Sequence, residues 1–209
     1  MPHMLRRSLL LLALALPVSA QAAFEPTVKD RADIARIETY LNGLTTLRAK
    51  FLQVAPDGSI SGGQAWLARP GRLRFEYDPP APFLLVAAHG QLVFQDMSIK
   101  QTSQVSLNST PLGMLLAPRV TLSGDLTVVG MQRLPGEIDV SVVRTSAPGD
   151  GTLTLVFADT PLTLRQWTVL DAQRKETRVT LFNTELGGTV DAKMFEPVQM
   201  PSNNGGGGG

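Results

Sequence analysis

Residues 63–77 read GQAWLARPGRLRFEY, and the second half of this stretch alternates strictly in polarity. From Arg72 to Tyr77, the arginines and the glutamate fall on one face, and the leucine and the two aromatic residues fall on the other. A period of two is typical of a β-strand with one buried face. Pro70-Gly71, just before it, marks a tight turn. This stretch therefore predicts a strand that covers an apolar core on one side.

Segments of the same kind continue along the chain, separated by turn residues such as His89-Gly90 and Leu134-Pro135-Gly136. Roughly ten strands joined by hairpin-length connections predict an antiparallel meander. Such a sheet either closes into a barrel filled by its own side chains or stays open and is covered by another element. The expected strands span residues 72–77, 83–88, 91–95, 99–107, 125–129, 137–144, 152–157, 162–170 and 176–183.

Two predicted helical segments could cover such a sheet. Residues 30–44 carry isoleucine and leucine at spacings of three and four, and Asn42-Gly43 is a plausible helix end. Residues 110–118 start with Thr110 as a good N-cap and Pro111 at the first helical position, and Pro118 ends them. Because a helix this short is unstable alone, we expect it to lie against an apolar surface.

The composition argues against several classes of function. Lys and Arg number 19 against 18 Asp and Glu, so the chain has no large basic excess for binding nucleic acid. It has no cysteine, and its histidines are His3 and His89. We therefore expect no metal site, no cofactor and no enzymatic activity. A hydrolase is the remaining enzymatic alternative, but its carboxylate pair, Glu76 and Asp78, has no evident base or metal partner.

Residues 1–22 look like a secretory signal peptide. Arg6-Arg7 precede an apolar run over residues 9–18, and Ala20-Gln21-Ala22 offers a small-x-small cleavage pattern. The run is too short to span a membrane core of roughly 30 Å, which disfavours the alternative of an uncleaved anchor. We expect export to a bacterial periplasm, one folded domain over residues 23–198, and a disordered glycine-rich tail over residues 199–209.

The interior of the predicted sheet has two interpretations. Aromatic residues make up only 6% of the chain, and most apolar strand positions are leucine or valine. An incompletely filled apolar interior would suit an apolar guest. An ordinary packed β core with a decorative helix fits the same pattern, and composition and periodicity leave both interpretations open.

The order of four segments resembles the periplasmic outer-membrane lipoprotein carrier family (LolA). As in that family, the aromatic strand is preceded by a Trp-x-x-Arg-Pro segment, here Trp66 to Pro70. Residues 110–116 are similar to its lid helix, residues 161–171 to its closing strands, and residues 190–195 to its terminal Asp-x-x-x-Phe. The resemblance covers almost all of residues 27–198. His89-Gly90 and Phe94 depart from it, since many members have Asp-Gly and tryptophan there.

The resemblance implies a fold and a function. The fold is mainly β with an α lid, an unclosed antiparallel β-barrel covered by short helices that enclose a hydrophobic cavity. The function is that of a periplasmic chaperone, which takes lipid-modified proteins from an inner-membrane ABC-type releasing complex and carries their acyl chains to the outer membrane. An acceptor lipoprotein or the outer membrane itself would receive them, and the carrier would be a monomer. A carrier of another lipid, such as a glycolipid, and a sensor of mislocalised lipoproteins are the alternatives on the same fold.

The resemblance also implies roles for residues. Arg69 matches the family arginine that hydrogen-bonds the lid backbone and latches the empty carrier. The expected lid face consists of Leu112, Met114, Leu115 and Leu116. The expected acyl-chain cavity is lined by Trp66, Leu73, Phe75, Tyr77, Phe83, Leu85, Phe94, Trp167 and Phe182.

Overall fold

The computed structural model describes residues 24–199. The expected signal peptide lies outside the described residues, as does the expected tail apart from residue 199. Within the described part, no helix combines the length and apolar character needed to cross a membrane.

Eleven antiparallel strands within residues 24–199 form one sheet in the order β6-β5-β4-β3-β2-β1-β11-β10-β9-β8-β7. In the described part of the chain β6 and β7 are the two edges and do not pair with each other, so the curved sheet is unclosed. The mainly β, open antiparallel fold is therefore confirmed. The strands are β1 (Thr46–Val54), β2 (Ile60–Ala68), β3 (Arg72–Tyr77), β4 (Phe83–Ala88), β5 (Gln91–Asp96), β6 (Gln101–Ser106), β7 (Leu126–Leu134), β8 (Glu137–Arg144), β9 (Gly151–Asp159), β10 (Leu162–Asp171) and β11 (Glu176–Leu186).

Alternation decides which face of each strand is buried. In β3 the side chains of Leu73, Phe75 and Tyr77 point to the inner, concave face, and their neighbours along the strand point outward. The turn at His89-Gly90 has positive φ at both residues, 50° and 75°. Two-residue hairpin turns of type I′ require this, because their backbone follows the right-handed twist of the strands. The strands between residues 45 and 71 had no predicted bounds, and the structure supplies them as β1 and β2.

Helix α1 (Val28–Gly43) begins two residues before its predicted start because of a capping box. The Thr27 hydroxyl accepts a hydrogen bond from the Asp30 backbone N–H, and the Asp30 carboxylate accepts one from the Thr27 backbone N–H at 2.7 Å. The buried faces of Ile37 and Leu41 place the helix on the inner side of the sheet.

Helix α2 (Pro111–Leu115) lies in the connection between the edges β6 and β7. Thr110 caps it by accepting a hydrogen bond from the Gly113 N–H at 3.3 Å, and Pro111 occupies the first turn, as predicted. The helix ends at Leu115, before Pro118. Three single-turn 3₁₀ helices complete the described elements, at Leu107–Ser109, Pro148–Asp150 and Ala192–Phe195.

A second apolar cluster covers the outer face of the sheet at β2, β3 and β4. Phe195, from the last 3₁₀ helix, is buried there against Leu84 and Val86. Arg74 donates to the Met194 carbonyl at 3.1 Å, and the buried Gln95 amide exchanges hydrogen bonds of 2.8 and 2.9 Å with the Val198 backbone. Because the C-terminal segment covers the outer face, both faces of this part of the sheet are buried.

Candidate functional site

A continuous row of aromatic rings crosses the concave face from β10 to β5. Successive ring centroids lie between 4.5 and 5.9 Å apart, in stacked, tilted and edge-to-face arrangements. Such contacts add to the stabilisation that each ring gains by burial. In spatial order the aromatic row consists of Trp167, Phe75, Phe51, Tyr77, Phe83 and Phe94.

The aromatic row opens to solvent at its β5 end. Phe94 is 38% exposed and pairs across the strands with Leu85 on one side and Ser103 on the other. Val105, beside Leu92 on the edge strand β6, is 50% exposed. The apolar concave face therefore extends to the sheet edge, where it lies partly in water.

Tyr77 is the one member of the aromatic row with a hydroxyl, and that hydroxyl has a partner. It donates a hydrogen bond to Gln53 Oε1 at 2.9 Å. Burial raises the pKa of Tyr77 to about 12, so the group is neutral at physiological pH. The row is thus an uncharged apolar surface.

Most of the expected cavity residues lie on the concave face. Leu73, Phe75, Tyr77 and Trp167 are buried there, Phe83 and Leu85 are partly buried, and Phe94 is the exposed end. Phe51 belongs with them and was missed, although it is the third of the alternating residues Leu47, Ala49 and Phe51 that point inward from β1.

Trp66 and Phe182 do not line the interior, and their assignment to the cavity is wrong. Trp66 points to the outer face, where it packs against the cluster that holds Phe195. Phe182 is 46% exposed, because it pairs with the outward-facing Lys50 while its neighbour Leu181 takes the inner side. In both cases the strand alternation places the side chain opposite to the concave face.

The lid helix faces the interior. The four expected lid residues, Leu112, Met114, Leu115 and Leu116, are all buried in the same core as the aromatic row. Between this lid, α1 and strands β7 to β9 the remaining cavity measures about 10 Å³. That volume is about one water molecule. In the described part of the chain, side chains of α2 and α1 therefore fill this part of the interior.

Arg69, directly after β2, ties both covering helices to the sheet. Its Nη2 and Nε donate to the Ala117 carbonyl at 2.6 and 3.3 Å, and its Nη1 donates to the Leu41 carbonyl in the last turn of α1. Carbonyls at a helix C-terminus favour a cation, and α1 has no basic residue in its own last turn. Burial lowers the pKa of Arg69 from its ordinary value, but a guanidinium remains charged at any physiological pH.

Next to Arg69, a second tie joins the sheet to the lid segment. The Gly71 N–H donates to the Leu116 carbonyl at 2.9 Å. Together these bonds hold the residues at the end of α2 against the turn between β2 and β3. All of the acceptors are backbone carbonyls, so this closure depends on the position of the lid rather than on its side chains.

His89 lies in its exposed turn, with Nε2 3.1 Å from Glu196 Oε1. Among residues 24–199, no three His, Cys, Asp or Glu side chains come together as a metal ion would require. A surface cleft of about 620 Å³ lies beside His89, between the outer end of the lid segment and Phe195. Leu107, Gly113 and Leu116, from the segment that carries α2, contribute to its lining.

Comparison of the sequence with known proteins gives a family match over most of the chain. Residues 42–198 match the family described as outer membrane lipoprotein carrier protein LolA. The chain belongs to the LolA family. An outer-membrane lipoprotein carrier protein of Methylococcus capsulatus is 28% identical over 171 residues, covering 78% of this chain and 81% of its own length.

Two further LolA proteins extend the comparison. An outer-membrane lipoprotein carrier protein of Pseudomonas aeruginosa is 27% identical over 201 residues, covering 90% of this chain and 92% of its own length. The crystal structure of a LolA superfamily protein from Nitrosomonas europaea covers 78% of this chain and 97% of its own at 10% identity, with a TM-score of 0.44.

Proposed function

We propose that this LolA-family protein is a periplasmic carrier that binds the acyl chains of lipoproteins released from the inner membrane and delivers them to the outer membrane. The main structural support is an apolar helix, α2, that packs into an apolar concave face and is held there by hydrogen bonds from the Arg69 guanidinium to the Ala117 carbonyl just after it. Acyl chains can replace that helix without any change in the chemistry of the surface they meet.

A lipoprotein needs such a carrier because its acyl chains are costly to expose to water. Each buried CH₂ is worth about 0.8 kcal/mol, so one C16 chain carries about 12 kcal/mol. Displacing the four apolar lid side chains costs roughly 1.5–3 kcal/mol each, about 6–12 kcal/mol together. The exchange with one chain is therefore nearly balanced, and additional chains favour the loaded carrier.

A balanced exchange suits a carrier that must also release its cargo. The closed, empty form has its own stabilisation in the Arg69 hydrogen bonds, and the loaded form lacks it. A ligand shifts a two-state protein only by its differential affinity for the two states. Closure of the lid therefore favours release to an acceptor. An inner-membrane ABC-type complex would supply the cargo, and an acceptor lipoprotein or the outer membrane would take it.

The direct test is a release assay with spheroplasts that carry a radiolabelled lipoprotein. After incubation with the purified protein, we expect the labelled lipoprotein in the soluble fraction, in a complex with the carrier. Lipoprotein that stays on the spheroplasts contradicts the proposal. Mass spectrometry of the lipid copurified with the carrier tests the same proposal, because a glycolipid without lipoprotein would identify a carrier of another lipid class.

A further inference from the structure

The segment that leads from α2 to β7 is hydrogen-bonded to α1. The Asn42 side-chain amide donates from Nδ2 to the Val120 carbonyl at 2.8 Å, and its Oδ1 accepts from the Val120 N–H at 2.9 Å. Two residues on, the Leu122 N–H donates to Glu38 Oε1 at 2.6 Å. We call Glu38 and Asn42 the α1 clasp. Asn42 satisfies both backbone groups of Val120, as a neighbouring strand would.

The clasped segment is also anchored by its own side chains. Val120 and Leu122 are buried in the inner core. Moving this segment away from α1 would therefore expose two apolar side chains and leave three backbone hydrogen bonds unmade. The clasp is a position that resists opening.

Helix α1 is fixed by its own side chains to one half of the sheet, while its Leu41 carbonyl accepts from Arg69 on the other half. Arg133 of β7 bonds both Asp30 and Asp33 at 2.7 Å, and Arg36 bonds Asp159 at 3.0 Å. The Tyr40 hydroxyl accepts from the Leu164 N–H of β10 at 3.1 Å. Because these contacts all lie on the β7 to β10 side, α1 provides a fixed support for whatever it clasps.

The residues directly after α2, a few positions before Val120, have a different connection. Leu116 and Ala117 are bonded to Gly71 and Arg69, which lie at the turn between β2 and β3 on the opposite half of the sheet. The residues after α2 are thus attached at one point to the β2–β3 turn and at the next to α1. Breaking the attachment to Arg69 and Gly71 allows α2 to move, while Val120 and Leu122 stay on α1.

We infer that Glu38 and Asn42 form the hinge of the lid, holding Val120 and Leu122 on α1 in both the empty and the loaded carrier. Helix α2 swings between this point and β6. Glu38 and Asn42 are therefore positioning residues that need not touch the cargo. The inference rests on the proposed function, because it assumes that acyl chains displace α2.

Amide hydrogen exchange measured by NMR, with and without a dipalmitoylated tetrapeptide, tests the inference. On loading, the Gly71 amide should exchange about tenfold faster or more, because its bond to Leu116 is lost. The amides of Val120 and Leu122 should keep their protection. If the peptide binds and these two amides lose protection together with Gly71, the hinge assignment is wrong. If the peptide does not bind, the proposed function fails and the hinge fails with it.

Binding affinity provides a second, thermodynamic test with Asn42→Ala. Asn42 is exposed, so the variant should fold. A bond that is present in both states does not change the equilibrium between them, so the Kd for the tetrapeptide should stay within about twofold of the parent. In the empty variant the Val120 amide should nevertheless exchange about tenfold faster, which shows that the clasp was intact.

Two results would overturn the hinge. A tighter Kd in Asn42→Ala, comparable to that of Arg69→Leu, would make the clasp a second latch. An unchanged exchange rate of the Val120 amide would mean that the hydrogen bonds of the clasp do not hold this segment on α1. The matched control is Thr39→Ala, since the Thr39 hydroxyl bonds only the Ala35 carbonyl of its own helix at 2.8 Å, and that variant should leave both readouts unchanged.

Discussion

Arg69 combines two tasks that a shorter or apolar side chain cannot perform together. Its planar guanidinium has donors in a fixed fork, which lets one side chain reach the Leu41 carbonyl of α1 and the Ala117 carbonyl after α2. Hydrogen bonds from a charged donor are worth about 1.5–3 kcal/mol each. In the proposed mechanism, this one residue therefore contributes much of the preference for the closed lid.

Replacing Arg69 with leucine should trap the carrier in its loaded state. Arg69→Leu loses the bonds that exist only in the closed form, so we expect at least tenfold tighter binding of a dipalmitoylated peptide. The variant should take lipoprotein from spheroplasts but pass little of it to outer-membrane vesicles. Arg48→Leu, on the exposed outer face of β1, is the control. Normal delivery by Arg69→Leu would refute the latch.

Gly113 in α2 permits a close approach that no other residue allows. A Cβ at this position would collide with the Leu107 carbonyl oxygen in the preceding 3₁₀ turn. Gly113→Ala should therefore push α2 out of its seat, at a cost to the closed form of about 1–3 kcal/mol. We expect more binding of a hydrophobic dye to the empty protein. Gly149→Ala, which meets open space, should leave dye binding unchanged, and equal dye binding by both variants would contradict the prediction.

Single residues also show where sequence reasoning succeeded and where it failed. Thr110 and Pro111 carry local capping signals, so the start of the lid was predictable. Trp66 was misplaced because residues 65–68 are all apolar, and a continuous apolar run does not indicate which side chains point inward. Both faces of β2 are buried here, since the C-terminal segment covers the outer one. That contact joins residues far apart in the chain, so no local sequence pattern predicts it.

The helix α1 depends on a charged network at its N-terminal half. The hydrogen bonds from Thr27, and then the one from Arg133, lower the pKa of Asp30 from 3.8 to about 2. Burial alone would raise the pKa of Asp33, but hydrogen bonds from Arg133 and Arg36 outweigh it and lower that pKa as well. Both carboxylates thus favour the folded state in their ionised form.

This network predicts a pH dependence. Because the folded pKa of Asp30 lies below its ordinary value, its stabilisation is complete above about pH 4 and is lost as the pH falls through about 2. Arg133→Leu should lower the free energy of unfolding at pH 7, and the difference from the parent should narrow between pH 4 and pH 2. Urea denaturation at each pH provides the measurement.

The control for the network is the ion pair between Arg178 and Glu176. Its nitrogen and oxygen atoms lie 2.9 Å apart, and both side chains are half exposed. Surface pairs of this kind contribute about 0–1 kcal/mol. Arg178→Leu should therefore have a small effect that hardly changes with pH. A constant difference between Arg133→Leu and the parent across the acid range would show that Asp30 and Asp33 do not hold α1.

In the proposed function, the concave face has two purposes, to stabilise the empty fold and to receive cargo. Periodicity and turns are local signals, and they predicted an antiparallel meander with two helices that could cover it, whereas the resemblance to the LolA family implied that the sheet stays open. It did not predict that the interior is filled, because this depends on how Ile37, Leu41 and the lid side chains fit against strands that are distant in sequence. Roughly ten strands were predicted and eleven are observed, so the expected meander around that interior agrees with the structure.

Residues at the two ends of exposure in the aromatic row should differ in their effects, with the buried ones contributing to stability and the exposed one to cargo binding. Phe75 is buried at its centre, so Phe75→Ala should lower the free energy of unfolding by about 3–5 kcal/mol. Phe94 is 38% exposed at the open end, so Phe94→Ala should cost less than about 1 kcal/mol of stability. We nevertheless expect Phe94→Ala to weaken the binding of a dipalmitoylated peptide severalfold. Unchanged peptide binding by Phe94→Ala would place the cargo elsewhere.

Photocrosslinking to a dipalmitoylated peptide tests most directly whether acyl chains enter the space that α2 fills. A benzophenone amino acid replaces Phe75, on the concave face, or Phe182, on the outer face of β11. We predict a covalent adduct between the protein and an acyl chain from position 75 and none from position 182. Adducts from position 182 without any from position 75 would contradict the account, because the cargo would then lie on the wrong side of the sheet.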